Sequence, residues 1–583
     1  MCVGHLTVGK CWFSMYVGYV AVSNVCAGFL GKYMFGSSFS VACVVSHYCF
    51  FSGEIYSMFM RRHVLLLWET LVICSQLDDS LNCLKVTFDT SCVLLFSTVT
   101  YDCHCYSITV SEGFKKAVGL FYQTRPTSDT FSTCKGALFA MATRVDVIII
   151  GAGNRGSTYA RFAEECPDQM RVVGVADPNL FARDAFKQKY RIEEQNVFVD
   201  WHEAAKREKF AHAAIICTPD HLHKEPALVF AKRGYHILLE KPMSVTPDDC
   251  LEIVSACLDS AVLLAVCHVL RYSPAVRKIK ELIDSGAIGD VIHIQHLEPV
   301  GFYHFAHSFV RGNWRKESQS SFSLLTKSSH DIDLILYWLG NRRCLKVSSF
   351  GSLSHFSSDN KPSGATARCL DCPVEQQCPY SAKRIYLDMV RQGCVGWPVS
   401  VLCPTSNVDI ESVTRALQTG PYGRCVYSCD NDVCTNQVVN MEFEGGLTVA
   451  FSMVAFTERL CQRITTISGS KGELSCNNDS VVRVFDFLTQ KETVHHVDNA
   501  GLLVSSLRAH GGSDYFLIKD FVAAIASGDA ALIQSGPKET LASHLLVFAA
   551  EQARKENRIV FFEEEWAEKL AQGTMGPNTA TPI

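Results

Sequence analysis

The sequence predicts a doubly wound α/β domain with a parallel sheet, followed by an α+β domain with a largely antiparallel open sheet. Three observations carry this. From Arg144 onward, apolar β-branched runs alternate with helical segments: VDVIIIG (145–151), RVVGVAD (171–177), HAAIICTP (212–219) and HILLEKP (236–242), with STYARFAEEC and PALVFAKRG between them. Strands apolar throughout are covered on both faces, and helices between them make the sheet parallel. After about Arg271 the pattern changes to one helix, RKIKELIDSG, and then to longer alternating strands, VIHIQHLEP, NQVVNMEF and LTVAFSMVAF. Finally, 583 residues exceed one ordinary core.

These signals divide the chain into an extension over 1–140, a first domain over 141–268, a second over 269–570 and a tail over 571–583. The extension differs from the rest: it has no proline before Pro126 and sustains no helical or strand period. Two uncharged stretches in it, 11–31 and 33–53, are long enough to cross a bilayer, but Ser, Asn, Gly and His interrupt both. The expectation is that Met141 is the natural start and that the segment before it carries no function. A membrane anchor through 11–53 is the minor alternative.

Composition narrows the function classes. With 48% hydrophobic and 19% charged residues and a net charge of -5, the chain reads as globular, with no basic stripe for nucleic acid. Its 27 cysteines do not form a secreted framework, because those after residue 140 fall mostly in apolar runs such as AAIICTPD and LLAVCHV. Buried reduced thiols suit a cytoplasmic location.

Gly151-Ala152-Gly153-Asn154-Arg155-Gly156 follows a strand and opens a helix. In that Rossmann-type context Gly151 makes the tight turn, Gly153 admits a dinucleotide's pyrophosphate and Gly156 lets helix and strand pack. Asp177 ends the next strand, placed to accept hydrogen bonds from an adenosine ribose, which favours NAD over NADP; the other reading is an Asp-Pro turn. Arg155 in the loop could neutralise phosphate and keeps NADP open. Ligands bind outside the carboxyl ends of parallel strands, so Thr218, Pro219 and His223 after one strand, and Glu240 and Lys241 after the next, join the candidate cofactor site. Lys241 would lie near the nicotinamide; its other reading is an ordinary exposed turn lysine.

GAGNRG, the aspartate of VADPN, TPDHLH and LLEKP, in that order and spacing, resemble the Gfo/Idh/MocA oxidoreductases, and the likeness continues through RYSPAVRKIKELIDSGAIGDVIHIQ to about Trp566. The resemblance implies NAD or NADP, a sugar, polyol or related hydroxy substrate, and homo-oligomerisation through the second domain's sheet. In LLTKSSHDIDLILYWLG, Ile332, Ile335, Leu336 and Leu339 form one apolar stripe that Gly340 ends, leaving Lys327 and His330 on the opposite face. The family's proton-transfer histidine, followed three residues later by aspartate, matches His330 and Asp333. Many members carry aspartate four residues before the histidine, where this chain has Thr326, and Lys327 is read as compensating. Arg271 joins Asp333 as a substrate-binding candidate.

The mechanism expected is hydride exchange with nicotinamide, His330 acting as base with a pKa near about 6.5 and Lys241 on the same oxygen. Two rivals stand beside it: a glycosidase that oxidises its sugar transiently, and a nucleotide-sensing regulator without catalysis, suggested by Thr326 and by Thr435 and Asn436 in place of ionisable groups. Cys369, Cys372 and Cys378 have partial metal-ligand spacing, for which Cys394 or Cys403 would have to supply the fourth ligand; free thiols, and no metal, are expected.

Overall fold

The computed structural model describes residues 144–574 apart from 341, 405–406, 479, 498–504, 506 and 508; ahead of Arg144 it describes only the backbone of short strands, in a separate unit over Met1–Phe139. Most of 11–31 and 33–53, and the end of the tail, lie outside the described residues. Among the described residues no helix is long and apolar enough to cross a membrane.

The first sheet contains β1 (Val145–Ile150), β2 (Met170–Ala176), β3 (Val197–Phe198), β4 (Ala213–Ile216), β5 (His236–Leu239) and β6 (Leu264–Val266), ordered 6-5-4-1-2-3 and parallel throughout. β1, β4 and β5 are buried almost end to end, which explains their unbroken apolar runs. The crossovers are α1 (Asn154–Ala160), α2 (Leu180–Tyr190), α3 (Trp201–Lys206), α4 (Lys224–Lys232) and α5 (Pro247–Asp259). The order reverses between β1 and β4, so their carboxyl ends open a crevice there.

α6 (Pro274–Asp284) leads into the second sheet, made of β7 (Val291–Pro299), β8 (Cys344–Ser352), β9 (Asn436–Phe443), β10 (Leu447–Val454), β11 (Ile464–Gly469), β12 (Gly472–Asn478), β13 (Val481–Asp486), β14 (Lys491–His496) and β15 (Val560–Phe561). Their order is 14-13-12-11-7-10-9-8-15, antiparallel except between β7 and β10. β9 and β10 alternate buried with less buried residues, the pattern of a sheet covered on one side. Three long helices, α7 (Ser323–Leu339), α9 (Ser513–Ser527) and α10 (Pro537–Glu556), frame the crevice. α10 packs against α7 and β8.

One element departs from expectation. Ile332, Ile335 and Leu339 are buried and Gly340, at φ 64°, ends α7, but Ser328, His330, Asp331 and Asp333 are buried as well. α7 is therefore an enclosed helix, not a surface helix with a polar outer face. Its polar residues are interior groups whose partners decide their chemistry. The helix α8 (Ile410–Thr419) lies in a long connection between β8 and β9 that holds a small core of its own, including Ile385, Tyr386, Val413 and Leu417.

Candidate active site

The glycine-rich turn is set by backbone contacts. Gly151 has φ 93°, and a Cβ there would meet the Cys217 carbonyl oxygen at 2.6 Å; a Cβ at Gly156 would lie 2.1 Å from the Gly151 carbonyl oxygen. At Gly153 a Cβ would meet nothing within 4 Å. Two glycines thus permit the turn, and the third keeps open the surface that a pyrophosphate needs. NAD fits on that ground. Asn154 opens α1 with its side chain exposed.

Asp177 is half-buried at the end of β2. It accepts the Ala152 N–H on Oδ2 and the Asn179 N–H on Oδ1, each at 2.7 Å, and so ties the glycine loop to the second strand. An ionised carboxylate has about four acceptor positions, which leaves two for a ribose. Arg155 is placed differently from the expectation of a free phosphate-neutralising charge. Its guanidinium meets Glu240 Oε1 at 2.5 Å and also pairs with Asp514 of α9, while Tyr159 donates to the same Glu240 oxygen at 2.9 Å. Although burial opposes ionisation of Glu240, Arg155 holds its carboxyl below the usual range. Arg155 and Glu240 therefore buttress the loop from beneath, with their charges already matched.

His223 is also turned inward. Its buried ring spans the Pro242 and Thr218 carbonyl oxygens, both at 2.8 Å, and so fastens the ends of β5 and β4 together. Thr218 donates from its hydroxyl to the Leu222 carbonyl at 3.1 Å, and Pro219 precedes a short turn. The structure gives His223 a positioning role.

Lys241 follows β5 and points across to α7, where Nζ donates to the Thr326 carbonyl at 2.7 Å. Burial, only partly offset by Glu240 and Asp220, pushes its ammonium down to about 8. The Thr326 position thus supplies a neutral carbonyl to the lysine, and Thr326 Oγ1 is spent on the Phe322 carbonyl. His330 is buried with neither ring nitrogen hydrogen-bonded. Burial first, then Lys241, His268 and His510, drives it well below its ordinary value. The expected base near 6.5 is thus corrected: His330 is a neutral imidazole at pH 7, and Lys241 is the group poised near neutrality.

Lys327 lies behind this pair. Its Nζ is 3.1 Å from Glu298 Oε1 and 3.0 Å from Cys461 Sγ. Burial works against its charge, yet Cys461 and Glu298 hold the ammonium above its ordinary range, so Lys327 is a fixed cation and no base. Arg463 extends the network to Asp331 at 2.7 Å and Glu298 at 3.1 Å.

Arg271 and Asp333 form a buried bidentate pair at 2.7 and 2.8 Å, and Arg271 also donates to the Gln534 carbonyl. That corrects their reading as substrate ligands: they bolt the turn Val269–Tyr272 to α7. Thr435 and Asn436 hydrogen-bond each other at 3.1 Å, and Thr435 donates to the Ser352 carbonyl. The structure adds a group the sequence reading missed. His268 follows β6, 3.5 Å from Asp333 Oδ2 and with its ring 5.6 Å from that of His330. It obeys the same strand-end rule that singled out Lys241, and that signal was available.

Comparison with known proteins gives the class first: residues 145–268 match the family model described as "Oxidoreductase family, NAD-binding Rossmann fold". The chain carries an NAD-binding domain of an oxidoreductase. Residues 276–365 match the "GFO/IDH/MocA C-terminal domain". Residues 145–268 and 276–365 thus match, in order, the two domain models of the Gfo/Idh/MocA oxidoreductases. The oxidoreductase YteT of Bacillus subtilis is 24% identical over 360 residues, covering 58% of this chain and 75% of that protein. A 2,7-anhydro-N-acetylneuraminate hydratase of Escherichia coli is 27% identical over 207 residues, covering 36% of this chain and 53% of the relative, so the match spans about half that enzyme. A solved levoglucosan dehydrogenase in complex with NADH and L-sorbose shares the fold, with a TM-score of 0.53 at 18% identity over 72% of this chain and 98% of that one.

Proposed function

We propose that the chain is an NAD-dependent dehydrogenase or reductase acting on a CH–OH group of a sugar, polyol or related small molecule. The observation that carries this is Lys241, depressed to about 8 and held to the Thr326 carbonyl at the carboxyl edge of the sheet, beside the unpartnered imidazole of His330. Gly151, Gly153 and Asp177 would hold the dinucleotide, which when bound supplies the hydride acceptor or donor.

The chain's own residues handle the proton. Neutral Lys241 takes the substrate hydroxyl proton on Nζ as the carbonyl forms and returns it in the reverse direction. Neutral His330 can donate from one ring nitrogen to the same oxygen and fix its orientation. Lys327 contributes fixed positive charge that favours developing negative charge on that oxygen. The Asp177 carboxylate favours NAD, since it would repel a phosphate on the ribose.

A redox-neutral reading is favoured by one finding, the relatives named hydratases. It uses the same site, with the substrate oxidised transiently and restored. Screening sugars, inositols and anhydrosugars for NADH formation separates the two: stoichiometric NADH supports the dehydrogenase, whereas product formed with no net NADH supports the redox-neutral reaction. Tight NAD binding with no turnover of any kind would favour a sensor. Assembly through the open sheet is part of the proposal, supported by Phe350 and Val438, which face each other on β8 and β9 and are exposed; sedimentation of a Phe350→Lys variant tests it.

A further inference from the structure

Between β8 and β9 the chain passes through residues 353–435 in short turns, with α8 its longest helix. A loop-rich segment with so small a core needs something else to hold it. Cys369, Cys372 and Cys378 lie within it, and the fold brings Cys425 to the same place: all four line one cavity of about 20 Å³. That is room for a single ion or water. Cys394 and Cys403, the fourth ligands that spacing suggested, do not line it. Cys394 is exposed, and Cys403 donates to Ser412 at 3.6 Å.

The second observation is electrostatic. Arg311 borders the same cavity and is fully buried. It donates to the Arg424 and Tyr380 carbonyls, both at 2.8 Å, and to Cys369 Sγ at 3.5 Å, while Nη1 has no partner. Glu375, the carboxylate nearest at hand on the cavity wall, is engaged by Ser381 at 2.6 Å and Lys383 at 3.5 Å, and none of the ion pairs among the described residues includes Arg311. A buried guanidinium without a counter-anion is strongly unfavourable. With Glu375 engaged elsewhere, deprotonated sulfurs are the source of negative charge that the cavity offers it.

We propose that Cys369, Cys372, Cys378 and Cys425 bind a structural zinc ion, whose thiolate cage is the counter-ion of Arg311. Four thiolates outweigh the charge of one zinc ion, so the cage is anionic, and binding releases the thiol protons to solvent. An all-sulfur tetrahedral set selects zinc among common divalent ions without redox chemistry. As the side chains stand, no group of three or more His, Cys, Asp or Glu among the described residues is close enough to hold a metal ion. Each thiol swings about a single bond, so loading requires rotation of four side chains toward the space they enclose. The ion would brace the catalytic corner, because Arg311 ends the segment that begins at Phe302 and carries His304, whose ring nitrogen is 3.3 Å from Cys461 Sγ, the neighbour of Lys327.

The test does not depend on the reaction. The full chain, purified without chelator under reducing conditions, is measured for bound metal by mass spectrometry and for its ligand shell by zinc X-ray absorption. About one zinc per chain is expected, with only sulfur in the first shell at about 2.3 Å. Cys425→Ser and Cys372→Ser should lose most of the zinc, and Cys403→Ser should keep it. No zinc in the parent chain, even after incubation with zinc chloride, overturns the proposal. So does nitrogen or oxygen in the shell, or zinc undiminished in Cys425→Ser. If the serine variants fail to fold, metal content and absorption of the parent chain decide alone.

Discussion

The two ends of the active site are built from different materials. At the cofactor end, six consecutive residues make the turn, and what matters is where the backbone leaves space: Gly153 open, Gly151 and Gly156 closed against neighbouring carbonyls. At the proton-transfer end, Lys241 and His268 follow two different strands while Lys327 and His330 share α7, and what matters is how much buried charge surrounds each. A turn's shape follows from local sequence, whereas a shifted pKa follows from tertiary enclosure. Steric substitutions should therefore damage binding at one end, and charge substitutions should damage rate or stability at the other.

The largest effect expected is on rate. Lys241→Met should lower kcat by about 100- to 10,000-fold with NAD affinity unchanged. Because the basic form is the neutral amine, kcat/KM for alcohol oxidation should rise with pH and level off above about 8, while carbonyl reduction should fall over the same range. The limb should survive in His330→Ala at lower overall activity, since His330 is already neutral there. If the limb vanishes in His330→Ala and persists in Lys241→Met, the roles are reversed. The double variant should be little worse than the poorer single one, as for groups that act on one oxygen.

Next in size is a stability effect that separates a bolt from a ligand. Asp333→Ala should cost about 3–5 kcal/mol in urea unfolding, because it strands Arg271 in the interior without its bidentate partner. A substrate ligand would behave otherwise, raising KM in a protein of normal stability, and that result would restore Asp333 to the substrate site.

At the cofactor end, Gly153→Val should weaken NAD binding at least about tenfold, near 1.4 kcal/mol, with little change in stability, since the added Cβ meets no protein atom. Gly156→Val should instead impair folding, its Cβ falling on the Gly151 carbonyl oxygen. Calorimetry on the folded Gly153→Val protein that returns the parent's affinity would remove the pyrophosphate from this surface.

This division also explains what the sequence made legible. The parallel sheet, the glycine turn and Asp177 at the end of β2 all have local signatures, a continuous apolar run or a fixed spacing from the turn. Arg155 and Glu240 read as cofactor contacts because their third partner, Asp514, lies 359 positions from Arg155. His330 took its ordinary pKa because nothing within α7 reports that other segments enclose it. The apolar stripe of α7 was visible, but burial of its polar side was not, since that depends on neighbours such as α10. Cys425 lay far from the cysteine spacing that drew attention to its three companions.

The smallest effect expected is at Asp177, and the structure gives the reason. Its carboxylate does two jobs: it holds the Ala152 and Asn179 N–H groups, and it would repel the extra phosphate of NADP. Asp177→Ser removes the repulsion but keeps only one hydroxyl for two backbone donors, so affinity for NAD should fall through loosening of the loop as well. Arg155 is matched by Glu240 and Asp514, and Arg183, the cation beside Asp177, is already donating to the Asp177 carbonyl at 2.6 Å. The ratio of NAD to NADP affinity should therefore move toward NADP by no more than about tenfold, or 1.4 kcal/mol. Most of that change should come from weaker NAD binding. The repulsive part should shrink as salt is raised, while the loss from loop loosening should not. A ratio that stays fixed at low ionic strength would reduce Asp177 to a turn residue, whereas a much larger swing would mean that Arg183 turns from the Asp177 carbonyl, or Arg155 leaves its carboxylates, when NADP binds.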